Sequence, residues 1–461
     1  MDRIDFKETN VFELFFRMFI PALLGMVFTT SLLVCDGIFV GRGVGSDALA
    51  AINITMPLFM IVMGIGLMFG IGASVIAAIH LAKSNVEDAN RCLTQSLTVS
   101  TLLVALISAL IMVFDEQVTG LLGGSEKLMP LVLEYMHVFI PFIFLQMFLI
   151  TGQFIIRLDS SPSFAMICNV VPAIINIILD YIFIFIFGWG LFGAAWSSVI
   201  GMIAGVALFL LYMFKYSRIL HFQFGGFSRS NLRNIVQSTT TAAKIGFSAL
   251  LGELAMSTMF LTGNNVFIRT LGEDGVAAFS VVCYLFPIVY MVSSAIVQSA
   301  QPIISFNYGN GEYRRIFKIL RLSLLVATIF SVCVSISFML FSSQVVSLFL
   351  VETTKAHEIA VYGMPYFAAG FNFFALNMVL IGYYQSIENS GSATFFTVLR
   401  GFVLMIACFI VLPILLGTKG IWTAVPLAEL LAFLAILLFY VGTRKNHLTT
   451  TVPRLDGEQI S

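Results

Sequence analysis

Asp180 stands in an apolar, helix-length run, Ser163 to Phe187, with Asn176 one turn before it and Asn169 two turns before that. At 100° per residue the three fall within about 40° of one another, so this helix carries one polar stripe on an otherwise apolar circumference. An ionisable group at membrane depth costs at least about 2.5 kcal/mol, which makes Asp180 a functional candidate with a partner to be sought elsewhere. Asp36, near the end of the first apolar run, is the candidate for that partner. Two carboxylates brought together in a low-dielectric site cannot both stay ionised, so such a pair shares a proton or holds a cation with help from neutral oxygens. The plainer readings are an Asp36 already in the outer interface and an Asp180 that joins neighbouring helices, a contact worth about 0.6 kcal/mol.

The elements that must position these groups are membrane spans. Of 461 residues, 59% are apolar and 10% charged, and the mean hydropathy of +0.99 lies far outside the range of soluble domains. Twelve runs are long enough to cross a hydrocarbon core about 30 Å thick. Six lie near Leu14–Val40, Ala50–Leu81, Cys92–Phe114, Pro130–Ile156, Ser163–Phe187 and Leu191–Phe214. Six more lie near Ile245–Ile268, Val276–Phe306, Ile316–Phe341, Ile359–Ile387, Thr394–Leu416 and Ile421–Val441. The fold class expected is an all-α polytopic membrane protein with an N-terminal lobe over 1–214, a cytoplasmic linker over 215–244 and a C-terminal lobe with a short tail over 245–461. No cleavable signal is expected, because the first apolar run is itself long enough to span.

Of the 24 lysines and arginines, eighteen flank the even-numbered ends, five flank the odd-numbered ends, and Arg400 lies inside the eleventh run. That bias places both termini in the cytoplasm of a multi-pass protein of the cell membrane, with Asp36 and Asp180 in the outer halves of two outward-running spans. The two halves also repeat. Shifted by about half its length, the chain pairs Gly45, Asp47, Ala50 and Ala51 with Gly272, Asp274, Ala277 and Ala278, and Gly152, Gly190 and Ala194 with Gly382, Gly420 and Ala424. Two six-helix bundles of the same topology, with substrate bound between them, are the transporter plan this predicts. The chemistry is not repeated: Asp36 maps onto Gly263 and Asp180 onto Ile410, while the second half has Glu253, Arg400 and Glu429 of its own.

The stretch Gln301-Pro302-Ile303-Ile304-Ser305-Phe306-Asn307-Tyr308-Gly309-Asn310-Gly311 resembles the signature that closes the eighth span in the MATE family, the multidrug and toxic compound extrusion transporters. The resemblance extends to Pro21, to Asp36, to Gly45 through Ala51, to Gly152-Gln153 and to Asn176 and Asp180, and covers all twelve spans. It implies a V-shaped pair of bundles that exports cationic or amphipathic organic compounds in exchange for H⁺ or Na⁺. Carried over by position, Asp36, Gln153, Asn176, Asp180 and Ser198 form a cation-coupling network, Asp36, Asn176 and Asp180 are candidate Na⁺ ligands, and Pro21 is a helix kink. Ser198 stands where relatives carry threonine. The tenth span departs from the family pattern, having no Asp or Glu and only Asn372 and Asn377. Glu253 resembles a seventh-span glutamate of the MepA-like branch, and Glu253 and Asn372 are the candidates for the substrate cavity.

Enzyme signatures are missing. His357-Glu358 begins like a zinc-protease helix, but position 361 is Val361, and the chain holds neither a G-x-S-x-G nor a P-loop. The six cysteines include no C-x-x-C pair and point to neither disulfides nor a metal site. Balanced charge argues against a nucleic-acid partner. The expectation is a secondary transporter that needs no cofactor and no ATPase subunit, with small organic cations, amphipathic drugs and membrane lipid as its partners. A flippase for a lipid-linked precursor is the runner-up, and a channel or membrane receptor the reading from another class.

Overall fold

The computed structural model describes residues 5–224 and 232–450. Among them the chain is helical throughout its regular structure, and the spans assemble in order. The first lobe comprises α1 (Val11–Gly43), α2 (Ser46–Ala82), α3 (Val86–Val113), α4 (Met129–Leu158, with a single 3₁₀ turn at Ile140–Phe142), α5 (Pro162–Ile186) and α6 (Gly190–Tyr216). In the second lobe α7 and α8 share one helical stretch, Leu232–Gly309, divided at Gly272. They are followed by α9 (Tyr313–Leu340), α10 (Lys355–Ala368 and Gly370–Ser386, bent by 41° at their junction), α11 (Ser390–Leu416) and α12 (Thr418–Thr450). The helices outrun the apolar windows read from sequence by a few residues at most ends, since polar first turns such as Val86–Asn90 cap and extend a span without being apolar themselves.

The repeat is visible in the backbone. Gly45 opens α2 with φ +126° and Gly272 opens α8 with φ +69°, so the same position in each half takes a conformation that side-chain-bearing residues rarely adopt. A short helix, Asp115–Leu121 or Ser342–Ser347, follows the third span of each half. The fifth span of each half contains a π-helical stretch, Tyr181–Ile186 in α5 and Leu399–Leu404 in α11.

One boundary differs from the sequence reading. The segment 215–244 is not a linker throughout, because α7 is already helical from Leu232, and Ile235, Thr239 and Ala242 are buried along it. Its exposed face carries the polar residues that made the segment read as a connection. The described residues that follow α6 are anchored to the first lobe: buried Asp159 accepts from the Tyr212 hydroxyl at 2.6 Å and from the backbone N–H groups of Arg218, Ile219 and Leu220 at 2.8, 2.9 and 3.0 Å.

The lobes meet through the N-terminal halves of α1 and α7 and the C-terminal halves of α2 and α8. Phe15, Met18 and Phe19 of α1 share a buried cluster with Ala300 and Ile303 of α8, while Ala242 and Ile245 of α7 share one with Ile71 and Val75 of α2. Each lobe thus lends its first helix to the other. The crossing of α2 and α7 is close enough to need glycine on both sides. A Cβ on Gly72 would overlap the Ala242 carbonyl, and one on Gly246 would overlap the Met68 carbonyl. Such small residues let backbones approach where no hydrophobic force drives helices together. These contacts lie at the end of the bundle that carries the N-terminus. Asp36, on the far half of α1, is only partly covered.

Candidate functional site: two polar clusters, one in each lobe

In the first lobe Asp180 is fully buried and Asn176 nearly so. The Asp36 carboxyl on α1 lies within hydrogen-bonding reach of Asp180 on α5. Ser197 on α6, also fully buried, completes the contact from the other side: its Oγ is bonded to Asp180 Oδ1 and lies 2.7 Å from the Ala194 carbonyl. A serine has one proton to donate. Ser197 can give it to the Asp180 carboxyl or to the Ala194 carbonyl. The contact between the Asp36 and Asp180 carboxyls is of the kind that a shared proton or a bound cation stabilises.

Asn176 sets the neutral side of the cluster. With its amide turned to match the donors and acceptors around it, its Nδ2 donates to Asp180 Oδ2 at 3.0 Å, and its Oδ1 accepts from Ser198 Oγ at 3.2 Å and Ser198 N–H at 3.0 Å. Tyr135 of α4, buried, reaches Ser198 with its hydroxyl. Asp36 Oδ1 is buried and has no hydrogen-bond partner. An orphaned carboxylate oxygen beside a second carboxylate, an amide and three hydroxyls is a donor set of hard oxygens, the type that suits H⁺ or Na⁺.

Of the residues expected in this network, the structure brings together Asp36, Asn176, Asp180 and Ser198 and separates Gln153 from them. Gln153 forms a reciprocal amide pair with Asn169, Nε2 to Oδ1 at 2.6 Å and Nδ2 to Oε1 at 3.1 Å. Asn169 lies two turns, about 10.5 Å, before Asn176 on α5. The cause is the length of α4, whose fourth-span glutamine belongs to its far end. That end also holds Arg157, which bonds Gln298 of α8 across the lobe junction and is 4% exposed. Arg157 counted as a basic flank in the sequence; the packing of α8 over it buries it. Pro21 lies inside an unbroken α1, about 22 Å before Asp36, just ahead of the point where Gly25 packs on Asn169.

Ser197 and Tyr135 were missed by sequence reasoning. Ser197 adjoins Ser198, and helical rotation alone does not say which of two neighbours faces α5. Tyr135 sits on a helix otherwise read as apolar, where a tyrosine is ordinary.

The second lobe holds a different cluster. Glu253 of α7 accepts a hydrogen bond from the Tyr290 hydroxyl of α8. Arg400 of α11, in that helix's π-helical stretch, donates through Nε to Glu429 of α12 at 2.7 and 2.9 Å. Asn377 of α10 donates to Glu429 Oε2 at 2.7 Å, and the guanidinium lies 4.3 Å over the Phe374 ring. Arg400 and Glu429 are 9% and 1% exposed, so the pair replaces hydration almost entirely with protein. Beside it Met256, Met259, Met378 and Met405, together with Phe286 and Tyr290, line a narrow cavity with room for little more than one water. Asn372 is not part of this cavity; it bonds Ser335 of α9 at 3.4 Å. It lies near the bend of α10, which turns its first residues toward α9, and Asn377 takes the position beside the charged pair.

A family model described as MatE matches residues 21–182 and again 249–411, one match in each lobe. Multidrug export protein MepA of Staphylococcus saprophyticus is 26% identical over 98% of this chain and 98% of its own, and the MepA of Staphylococcus aureus is 24% identical over the same shares. Among solved structures, an outward-facing multidrug resistance MATE transporter of the MOP superfamily superposes with a TM-score of 0.89 at 22% identity, covering 98% of this chain and 99% of that one. A MOP superfamily transporter from Pyrococcus furiosus gives 0.87 at 22% identity, covering 95% and 97%. The fold is theirs, twelve helices in two lobes, and the family is one of transporters rather than enzymes. By its sequence, its repeat and its two-lobed fold, this multi-pass membrane protein belongs to the MATE family.

Proposed function

We propose that the protein is a secondary antiporter that exports cationic and amphipathic organic compounds in exchange for H⁺ or Na⁺. The observation that carries the reading is the contact between Asp36 and Asp180 in a site whose other groups, Asn176, Ser197, Ser198 and Tyr135, are all neutral. Such a pair binds one positive charge at a time with high preference over none. Exchanged one for one with a monovalent organic cation, that charge moves no net charge, and the ion's concentration gradient drives export at about 1.4 kcal/mol per tenfold difference; for a neutral amphipathic substrate the membrane potential adds about 2.3 kcal/mol per 100 mV. Glu253, partly covered at the lobe junction, supplies the counter-charge for an organic cation. The names of the MepA relatives, multidrug export proteins, agree with that substrate class. The protein acts in the cell membrane with both termini in the cytoplasm, and an ion gradient takes the place of an ATPase subunit.

The reading is tested by efflux from whole cells. Cells expressing the wild type should extrude a fluorescent organic cation, and an uncoupler combined with sodium removal should abolish it. Export that persists when both gradients are gone would rule out ion-coupled antiport.

A further inference from the structure

The repeat puts one helix face to two different uses. In register, Glu87, Arg91 and Thr94 of α3 pair with Arg314, Lys318 and Arg321 of α9. Spaced i, i+4 and i+7, each trio falls within about 60° of arc on its helix. In the first lobe this face neutralises itself and is bridged by protein. Arg91 pairs with Glu87 and Asp88, and Gln223, beyond α6, donates through its backbone N–H to Thr94 Oγ1 at 3.0 Å and through Nε2 to Glu87 Oε1 at 3.3 Å. In the second lobe the same face carries three cations, all exposed, and none of them forms an ion pair with a described residue. Glu312, the nearest acid in the sequence, lies on the opposite side of the helix. Arg315, about a quarter-turn round, faces inward instead and donates to Asn307 Oδ1 at 3.0 Å and to the Phe6 and Thr9 carbonyls at 3.0 and 2.8 Å.

Beyond the cations the face turns apolar without a break. Leu325 and Ile329, one and two turns past Arg321, are 55% and 56% exposed, and Ile336 follows them. In a span these side chains face hydrocarbon, so the three cations stand at its edge. They cover about 10.5 Å of helix axis, which the headgroup layer and the snorkelling reach of their stems together account for. We infer that Arg314, Lys318 and Arg321 bind the phosphate of an anionic phospholipid whose acyl chains lie along Leu325 and Ile329. Guanidinium forks match phosphate oxygens, and a lipid such as phosphatidylglycerol presents a phosphate with no cation of its own. Phosphatidylcholine brings a positive headgroup that the strip repels. Each cation near an anionic headgroup is worth about fivefold in affinity, and salt weakens the attraction. The leaflet is the cytoplasmic one; that placement rests on the orientation proposed above, whereas the contact between strip and lipid does not.

The test follows a tail-labelled phosphatidylglycerol on the full-length protein in detergent by fluorescence polarisation, displaced by unlabelled phosphatidylglycerol or phosphatidylcholine. Phosphatidylglycerol should displace at about tenfold lower concentration. Arg314→Gln, Lys318→Gln and Arg321→Gln combined should bring that ratio close to one. Lys83→Gln, Arg91→Gln and Lys215→Gln, which remove three cations from the same end of the first lobe, should leave it unchanged. Equal displacement by the two lipids in the wild type overturns the assignment whatever the variants do. So does an unchanged ratio in the strip variant, or an equal loss in the first-lobe variant, which would mean attraction to bulk charge rather than a site. Detergent removes the leaflets, so an error in orientation leaves this result intact; orientation is read separately, by labelling of intact cells with a membrane-impermeant reagent.

Discussion

Gly72→Ala tests the junction between the lobes. In this conformation α2 and α7 cross so closely that the new methyl group would sit inside the contact distance of the Ala242 carbonyl, a backbone atom of the facing helix that cannot swing aside. Overpacking a tight contact costs about 1–3 kcal/mol when the backbone must shift. Because only the state with this crossing bears that cost, the equilibrium between it and any state in which the crossing is released moves by a factor of about five to 150. The assay is the labelling rate of a single cysteine placed at Gln298, on the closed side of the junction beside Arg157, with a membrane-impermeant maleimide in inside-out vesicles. Labelling should rise at least fivefold in Gly72→Ala, and dye efflux should slow because one half of the cycle is disfavoured. Gly246→Ala, which meets the Met68 carbonyl from the opposite helix, should do the same. Unchanged labelling together with normal efflux in both variants would show that this crossing is not one of two alternating states.

Four further outcomes follow from the geometry. Arg400→Ala leaves Glu429 buried beside Asn377 alone, so thermal unfolding in detergent should drop by the equivalent of about 3–5 kcal/mol, and Arg400→Leu combined with Glu429→Leu should recover much of it. Glu253→Gln keeps a partner for the Tyr290 hydroxyl while losing the charge, so melting temperature should stay close to wild type while export of a quaternary ammonium dye falls at least tenfold. Asp159→Asn gives up acceptors for the Tyr212 hydroxyl and three backbone N–H groups; a loss of about 2–4 kcal/mol in stability and faster proteolysis between α6 and α7 are expected. Ser197→Ala should weaken coupling more than Gln153→Ala, because only the former touches Asp180, and stoichiometry of ion to substrate in proteoliposomes reads the difference.

The spans were legible because a membrane helix announces itself by length and hydropathy, and the pairing of Asp36 with Asp180 because charge at membrane depth has few innocent explanations. Topology alone put both at the same depth. The rest of the site depended on which face of a helix meets which neighbour. Ser197 rather than Ser198 touches Asp180 because α6 is rotated by that one position, and Gln153 departs from the site because α4 carries it two turns toward the closed end. In the second lobe Glu253, Arg400 and Glu429 were recognisable as candidates, but their grouping was not. Glu429 lies 29 residues from Arg400 and on another helix, and only the packing of α11 on α12 reveals that these two neutralise each other while Glu253 stands with Tyr290. Asn372 was the candidate read from the sequence, and the structure puts Asn377 beside the charged pair instead, past the bend in α10.

Gradient-driven efflux from proteoliposomes, measured for wild type, Asp36→Asn and Asp180→Asn, tests the central claim most directly. Inward proton and sodium gradients are imposed separately on vesicles loaded with a fluorescent cation. The account predicts that at least one gradient accelerates wild-type efflux, that neither does so in either variant, and that all three proteins still bind the dye. Acceleration of the variants to the wild-type extent would contradict it, since coupling would then not reside in the carboxylate pair of the first lobe.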